Sequence, residues 1–254
     1  MDYGRKMNDI KKRVKEGYGK IALNGSSCCP ESSCCGNSAE AISKNVGYTE
    51  KDISTVPDGA NLGLGCGNPV AIAALKEGDI VLDLGAGAGF DAFLAASKVG
   101  KTGKVIGVDM TPEMVARAKE NARKGGHANI EFKLGEIESL PINENSIDVV
   151  ISNCVINLSP DKEKVFKEAL RVLKPGGRLM VSDLVLVKDL PDNIRKSVEL
   201  YIGCIAGAVK KEDYIRYMKI AGFEDIKILD ETGYLKEDAV VSVKISAIKP
   251  GTHK

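Results

Sequence analysis

The chain has 254 residues, 36 basic against 35 acidic side chains and a formal net charge of +1, so no strong field draws it to nucleic acid or an anionic membrane. No tryptophan and 5% aromatic residues leave no stacking platform for single strands, and the longest apolar runs, such as 148–158, fall far short of the roughly 20 residues that cross a bilayer. The length allows one large domain with a substantial core, and a basic N-terminus without an apolar signal core makes the cytoplasm the expected compartment and a small molecule the expected substrate.

Residues 2–23 are charged, with Met7, Ile10, Val14, Tyr18 and Ile21 spaced by threes and fours, the pattern of an amphipathic helix. The run Lys11-Lys-Arg13, like Lys210-Lys-Glu-Asp213, reads as a solvated face. Residues 24–38 are rich in Gly, Ser and Cys and read as a loop bearing Cys28, Cys29, Cys34 and Cys35. Residues 39–54 are weakly helical. A second glycine-rich loop over 57–69 holds Cys66 in Leu62-Gly-Leu-Gly-Cys-Gly67, and a short helix from Pro69 follows. This divides the chain into an N-terminal helix with cysteine-bearing loops, 1–68, and a main domain, 69–254, with a further cysteine segment near 200–208.

Residues 80–84 form a short apolar run of the kind that fills the centre of a parallel sheet. Gly85, Gly87 and Gly89 then remove three side chains where the backbone must turn, approach a ligand and enter a helix. The dinucleotide pattern G-x-G-x-x-G needs glycine where Phe90 stands, which disfavours NAD. About 20 residues onward, Asp109 ends the second strand, 104–109, where a carboxylate can accept from ribose hydroxyls. Thr111 is placed to cap the next helix, with Pro112 in its first turn. Strands over 130–134, 147–152 and 178–186 alternate with helices, the last stopped by Lys174-Pro-Gly-Gly177, and a helix over 211–221 precedes strands 225–230 and 240–248. This alternation predicts an α/β fold, a doubly wound, mostly parallel sheet of seven strands.

Ligands in such a sheet sit beyond the carboxyl ends of the strands. Cys154 lies there, Cys66 precedes the first strand and Cys204 follows the fifth, so all three can converge above one crevice. A single cysteine is most simply a small buried hydrophobe, although the glycines flanking Cys66 offer it no apolar face. Seven cysteines, with two adjacent pairs, point to soft-metal or redox chemistry before structural disulfides. Methylating oxygen, nitrogen or carbon usually needs a base near neutral pH, yet both histidines, His127 and His253, read as solvated surface. A soft atom with its own lone pair, such as thiolate-bound trivalent arsenic, needs none.

Asp83, the glycine turn and Asp109 together resemble class I S-adenosylmethionine-dependent methyltransferases. More narrowly, Asp83-Leu-Gly-Ala-Gly-Ala-Gly-Phe-Asp91, Gly107-Val-Asp-Met-Thr-Pro-Glu-Met114, Gly135-Glu-Ile-Glu-Ser-Leu-Pro141, Ile151-Ser-Asn-Cys-Val-Ile-Asn-Leu-Ser159 and Arg171-Val-Leu-Lys-Pro-Gly-Gly-Arg178 look like arsenite methyltransferases. The resemblance implies arsenic ligation by Cys66, Cys154 and Cys204. It implies cofactor contacts from Asp83, Gly85, Ala86, Gly87, Asp109, Met110, Glu136, Ile137 and Asn153, and a last strand pair that closes the sheet edge as a hairpin. It also implies that Cys66 pairs with an upstream cysteine during turnover, one of Cys28, Cys29, Cys34 and Cys35, with thioredoxin or a small thiol as reductant. A zinc site or idle thiols are the other readings of those four, and four cysteines within eight residues fit tetrahedral spacing poorly. A quinone-type C- or O-methyltransferase and a metalloid-sequestering protein remain as alternative functions.

Overall fold

Ile80–Leu84 forms β1, buried on both faces from Val81 onward, and pairs in parallel with β2 (Lys104–Asp109) on one side and β4 (Ile147–Asn153) on the other. In the computed structural model, which describes residues 2–24, 38–234 and 239–251 and the side chains of the first helix from residue 9, β1 is the third strand of a seven-stranded sheet, beside the central β4. With β3 (Ile130–Leu134), β5 (Leu173–Leu186), β6 (Glu224–Gly233) and β7 (Val240–Ile248), the strand order is β3-β2-β1-β4-β5-β7-β6. β7 runs antiparallel to β5 and β6 antiparallel to β7, so a hairpin closes that edge. β7 is buried, whereas β6 is exposed along nearly its whole length, as an edge strand should be.

Helices cover both faces because the central strands are apolar on both. On one face Phe93 and Ala96 of α5 (Phe90–Val99) and Val115 of α6 (Pro112–Gly125) pack on Val81, Val105 and Val149. On the other, Val165 and Phe166 of α7 (Lys162–Val172) and Tyr214 and Met218 of α10 (Lys211–Ala221) pack on Leu82, Val150 and Leu179. Asp161 caps α7, accepting from the Lys164 amide at 3.0 Å, and Gly222 in the left-handed region ends α10. Helix α1 (Asp2–Asn24) lies across α6 and α9 (Val198–Ile202). Val14 is buried, the Tyr18 hydroxyl donates to the Ile202 carbonyl at 3.1 Å, and Arg117 Nη1 donates to the Ala22 carbonyl at 2.7 Å.

Several local features differ from the sequence expectation. The region 39–54 is two helices, α2 (Ala39–Asn45) and α3 (Glu50–Thr55), separated by Gly47 at φ 102° and restarted by a reciprocal Thr49/Asp52 cap. The short helix at Pro69 ends at Ile72. Thr111 opens α6 without a side-chain cap, and its amide donates instead to Asp109 Oδ1 at 2.8 Å. β5 begins at Leu173, running through Lys174-Pro-Gly-Gly177, because Leu173 already pairs with Ile147 before the register shifts. Two short helices, α8 (Asp192–Arg195) and α9, fill the segment after β5. Among the described residues no helix is long and apolar enough to cross a membrane.

Candidate active site

The strand order reverses between β1 and β4, and the chain leaves their carboxyl ends in opposite directions, opening a crevice there. Gly85 sits at φ 64° with Val155 packed so closely that any Cβ would overlap it, so this turn position demands glycine. Gly87, at φ 52°, faces open space, and its amide donates to Asp109 Oδ2 at 3.0 Å. Asp109 thereby ties the turn after β1 to the end of β2. Asp83 is buried with Oδ2 lacking any hydrogen-bond partner. Its burial, reinforced by the nearby Asp91 and Asp109 charges, pushes its carboxyl well above the usual range.

The cavity over this turn is lined by every expected cofactor contact except Glu136. Glu136 is paired instead with Lys11 at 2.7 Å, and Glu138 takes its place in the lining, with a second Lys11 contact at 3.0 Å. Lys11, expected on a solvated face, thus anchors α1 at the rim. The sequence reading missed the cavity's other polar knot. The Tyr48 hydroxyl donates to Asp91 Oδ1 at 2.6 Å, and Asn153 Nδ2 reaches Asp91 Oδ2, the Tyr48 hydroxyl and the Gly67 carbonyl at 2.8–2.9 Å. Burial pushes the Asp91 carboxyl up to about 6, against the pull of the Tyr48 and Asn153 hydrogen bonds.

Beside this knot lie three thiols. Cys66, Cys154 and Cys204 are 3%, 6% and 2% exposed; the Cys66 and Cys154 sulfurs lie within 4.8 Å of one another, whereas Cys204 reaches Cys154 through the Cys154 carbonyl. Cys154 and Cys204 both hold left-handed backbone, at φ 57° and 64°, uncommon for a residue with a side chain. Cys154 N–H donates to the Ser182 carbonyl at 2.8 Å, and Cys204 Sγ to the Cys154 carbonyl at 2.7 Å. Cys66 N–H donates to Asn153 Oδ1 at 3.1 Å, and its carbonyl accepts from Ser242 Oγ at 2.7 Å. The flanking glycines give Cys66 a different environment from the one expected. Lacking side chains, Gly65 and Gly67 let Asn153 and Ser182 approach, and the thiol enters an apolar cluster with Val14, Leu158 and Leu184.

Burial pushes the Cys66 thiol up, and hydrogen bonds with Cys204 and Cys66, then burial, push Cys154 well up. Both are therefore protonated near neutral pH. Cys28, Cys29, Cys34 and Cys35 lie outside the described residues. His127 is half-buried against Phe93, with ring centroids 4.9 Å apart, and burial pulls it down; it is not part of the cavity lining.

Two further ionisable groups act on this cluster, Asp183 beside Cys66 and Cys154 and Lys162 through its electrostatic interaction with Asp183 and Cys204. Asp183, fully buried on β5, accepts from Asn157 Nδ2 and its neighbour's amide at 2.9 Å and from the Tyr214 hydroxyl at 3.0 Å. Burial pushes it up to about 6. Lys162 donates to the Ser159 carbonyl at 3.0 Å, and burial pulls it down to about 8. An acid interrupting the apolar run of β5 was the available signal for Asp183.

A family model for a methyltransferase domain matches residues 75–222. The chain is similar to an arsenite methyltransferase of Halobacterium salinarum, 44% identical over 97% of this chain and 68% of that protein. It is similar to another from Aquipseudomonas alcaligenes, 38% identical over 91% of this chain and 67% of that one. The crystal structure of an arsenic(III) S-adenosylmethionine methyltransferase from Chlamydomonas reinhardtii superposes with a TM-score of 0.65 at 38% identity, covering 82% of this chain and 73% of that one. Identity of this level along nearly the whole chain, on a shared fold, shows that the chain belongs to the arsenite methyltransferase family.

Proposed function

We propose that the chain transfers methyl groups from S-adenosylmethionine to trivalent arsenic held by Cys66, Cys154 and Cys204. The observation that carries this reading is one shared wall: Cys154 borders the cavity of Asp83, Gly87 and Asp109 while its sulfur lies within 4.8 Å of that of Cys66 and its carbonyl accepts from the Cys204 thiol. The cavity fits the cofactor. Asp83 Oδ2, buried and unpartnered, is an acceptor for an ammonium group such as that of the methionine end. Each Asp109 oxygen already takes one backbone N–H and keeps a lone pair for a ribose hydroxyl, while Met110 and Ile137 offer apolar walls to the base. When bound, S-adenosylmethionine supplies an electrophilic methyl on a sulfonium.

The thiols act first. Each replaces one arsenite hydroxyl, and its proton leaves with that hydroxyl as water, so three thiols release three waters and no net proton. Protonated resting thiols are therefore no obstacle to loading. Three sulfurs leave arsenic its lone pair, so the nucleophile needs no general base, and alignment of bound reactants gains effective molarities of roughly 10⁵–10⁸ M at best. Methylation takes arsenic formally to the pentavalent state. Two thiols return it to the trivalent state by giving two electrons and joining as a disulfide. In the cytoplasm thioredoxin or a small thiol would reduce that disulfide. Cys28, Cys29, Cys34 and Cys35 are the upstream candidates for the partner of Cys66.

Incubation with arsenite, labelled S-adenosylmethionine and a thioredoxin system tests the reading. Labelled methylarsenicals are expected. Arsenite binding without product would replace the enzyme by a sequestering protein, and Cys154→Ser with unchanged turnover would remove Cys154 from the site.

A further inference from the structure

The arsenic reading leaves Asp183 without a role. One carboxylate oxygen of this residue, Cys66 Sγ and Cys154 Sγ all lie within 4.8 Å of one another, and all three residues are buried. Tetrahedral bonds of about 2.0–2.3 Å to oxygen and sulfur place ligand atoms roughly 3.5 Å apart, so side-chain settling alone would close this trio on an ion. We propose that Cys66, Cys154 and Asp183 form a site for a borderline divalent cation of the zinc(II) class, sharing two ligands with the arsenic site and replacing Cys204 by Asp183. The proposal rests on the arsenic reading only in sharing those two cysteines.

Donor chemistry separates the two ligand sets. Two thiolates and a carboxylate suit zinc(II) or cadmium(II), whereas trivalent arsenic favours three sulfurs. Asp183 is already oriented as metal-ligating carboxylates are, by outer hydrogen bonds from Asn157, the Leu184 amide and Tyr214. Cys204 is otherwise engaged, its thiol donating to the Cys154 carbonyl at 2.7 Å. Charge is nearly balanced: a divalent cation with two thiolates and a carboxylate carries one net negative charge, and the buried Lys162 ammonium interacts electrostatically with Asp183. Binding releases one proton from each cysteine to solvent, moves no electrons and leaves the fourth tetrahedral position to water. The cation and arsenite then exclude one another, and a bound cation shields Cys66 and Cys154 from oxidation.

The test uses the full chain with Cys28, Cys29, Cys34 and Cys35 changed to Ser, reduced and stripped of metal. Cadmium(II) is titrated in and read by thiolate-to-cadmium absorption in the near ultraviolet, and zinc(II) is titrated against a chromophoric chelator. One ion per chain is expected. Asp183→Asn should weaken cation binding at least about tenfold and spare arsenite binding; Cys204→Ser should do the reverse. Because a buried substitution can unfold the chain, X-ray absorption at the zinc edge of the Asp183-containing protein gives a second reading, with two sulfurs and oxygen expected in the first shell. Absence of stoichiometric binding, a three-sulfur shell, or undiminished affinity in folded Asp183→Asn would overturn the site. Failure of the arsenic reading appears separately, as no methylated arsenic from the parent chain, with all seven cysteines present, although the serine variant binds cadmium.

Discussion

Cys154 and Cys204 keep a side chain where the backbone favours glycine, a conformation that costs of order 1–3 kcal/mol. At an ordinary site glycine is less stable than alanine by roughly 0.5–1 kcal/mol. At Cys154 the order should invert: Cys154→Gly is expected to unfold at higher urea than Cys154→Ala, by about 1 kcal/mol. The strain is tolerated because it supports a thiol that glycine cannot supply. Lys162 makes a second residue-scale prediction. Burial lowers its pKa from 10.5 to about 8, so between those values the unfolded chain binds the proton more readily and stability rises with pH. The rise is worth up to about 3 kcal/mol. Urea midpoints measured from pH 7.5 to 10.5 should show it in the parent chain and lose that component in Lys162→Met. Such residues were legible only in part. Cys66, Cys154 and Cys204 stood out by type and place, whereas Asp183 and Tyr48 act through partners far away in sequence, and Lys162, although its hydrogen bonds are local, is buried only by the fold.

Helix α1 shows how an element can be predicted correctly and its role missed. Its apolar spacing specifies the helix, yet nothing in that spacing says that Val14 and Lys11 line a cavity formed by β1 and β4. Lys11 reaches Glu136 and Glu138, so one lysine joins the helix to the rim. Val14→Ala removes two buried methyl groups, a loss of about 2 kcal/mol concentrated on this helix. Faster amide exchange along α1 and weaker S-adenosylmethionine binding by calorimetry are expected; exchange accelerated elsewhere and not in α1 would contradict this. The strands were the easiest elements to read, because buried parallel strands are short apolar runs between glycine and proline signals. The start of β5 was not, since its pairing with β4 carries it through Pro175 and two glycines, residues that sequence rules take as a stop.

The whole molecule gathers segments from positions 66, 154 and 204 because the sheet brings its carboxyl ends to one side, and a sequence of alternating strands and helices was enough to anticipate that side. What it could not show is the fastening of the Cys66 loop. Asn153 at the end of β4 grips both sides of Cys66, and Ser242 on β7 holds its carbonyl. A disulfide from Cys66 that drew this loop out of place would break its ties to two strands at once. At about 1 kcal/mol per hydrogen bond, three such bonds favour the dithiol by on the order of 60 mV. Releasing one of them, as Ser242→Ala does, should lower the reduction potential by about 20 mV in glutathione equilibration. If the proposed disulfide forms at the expense of these contacts, the sheet acts as a spring that eases its reduction by an external thiol.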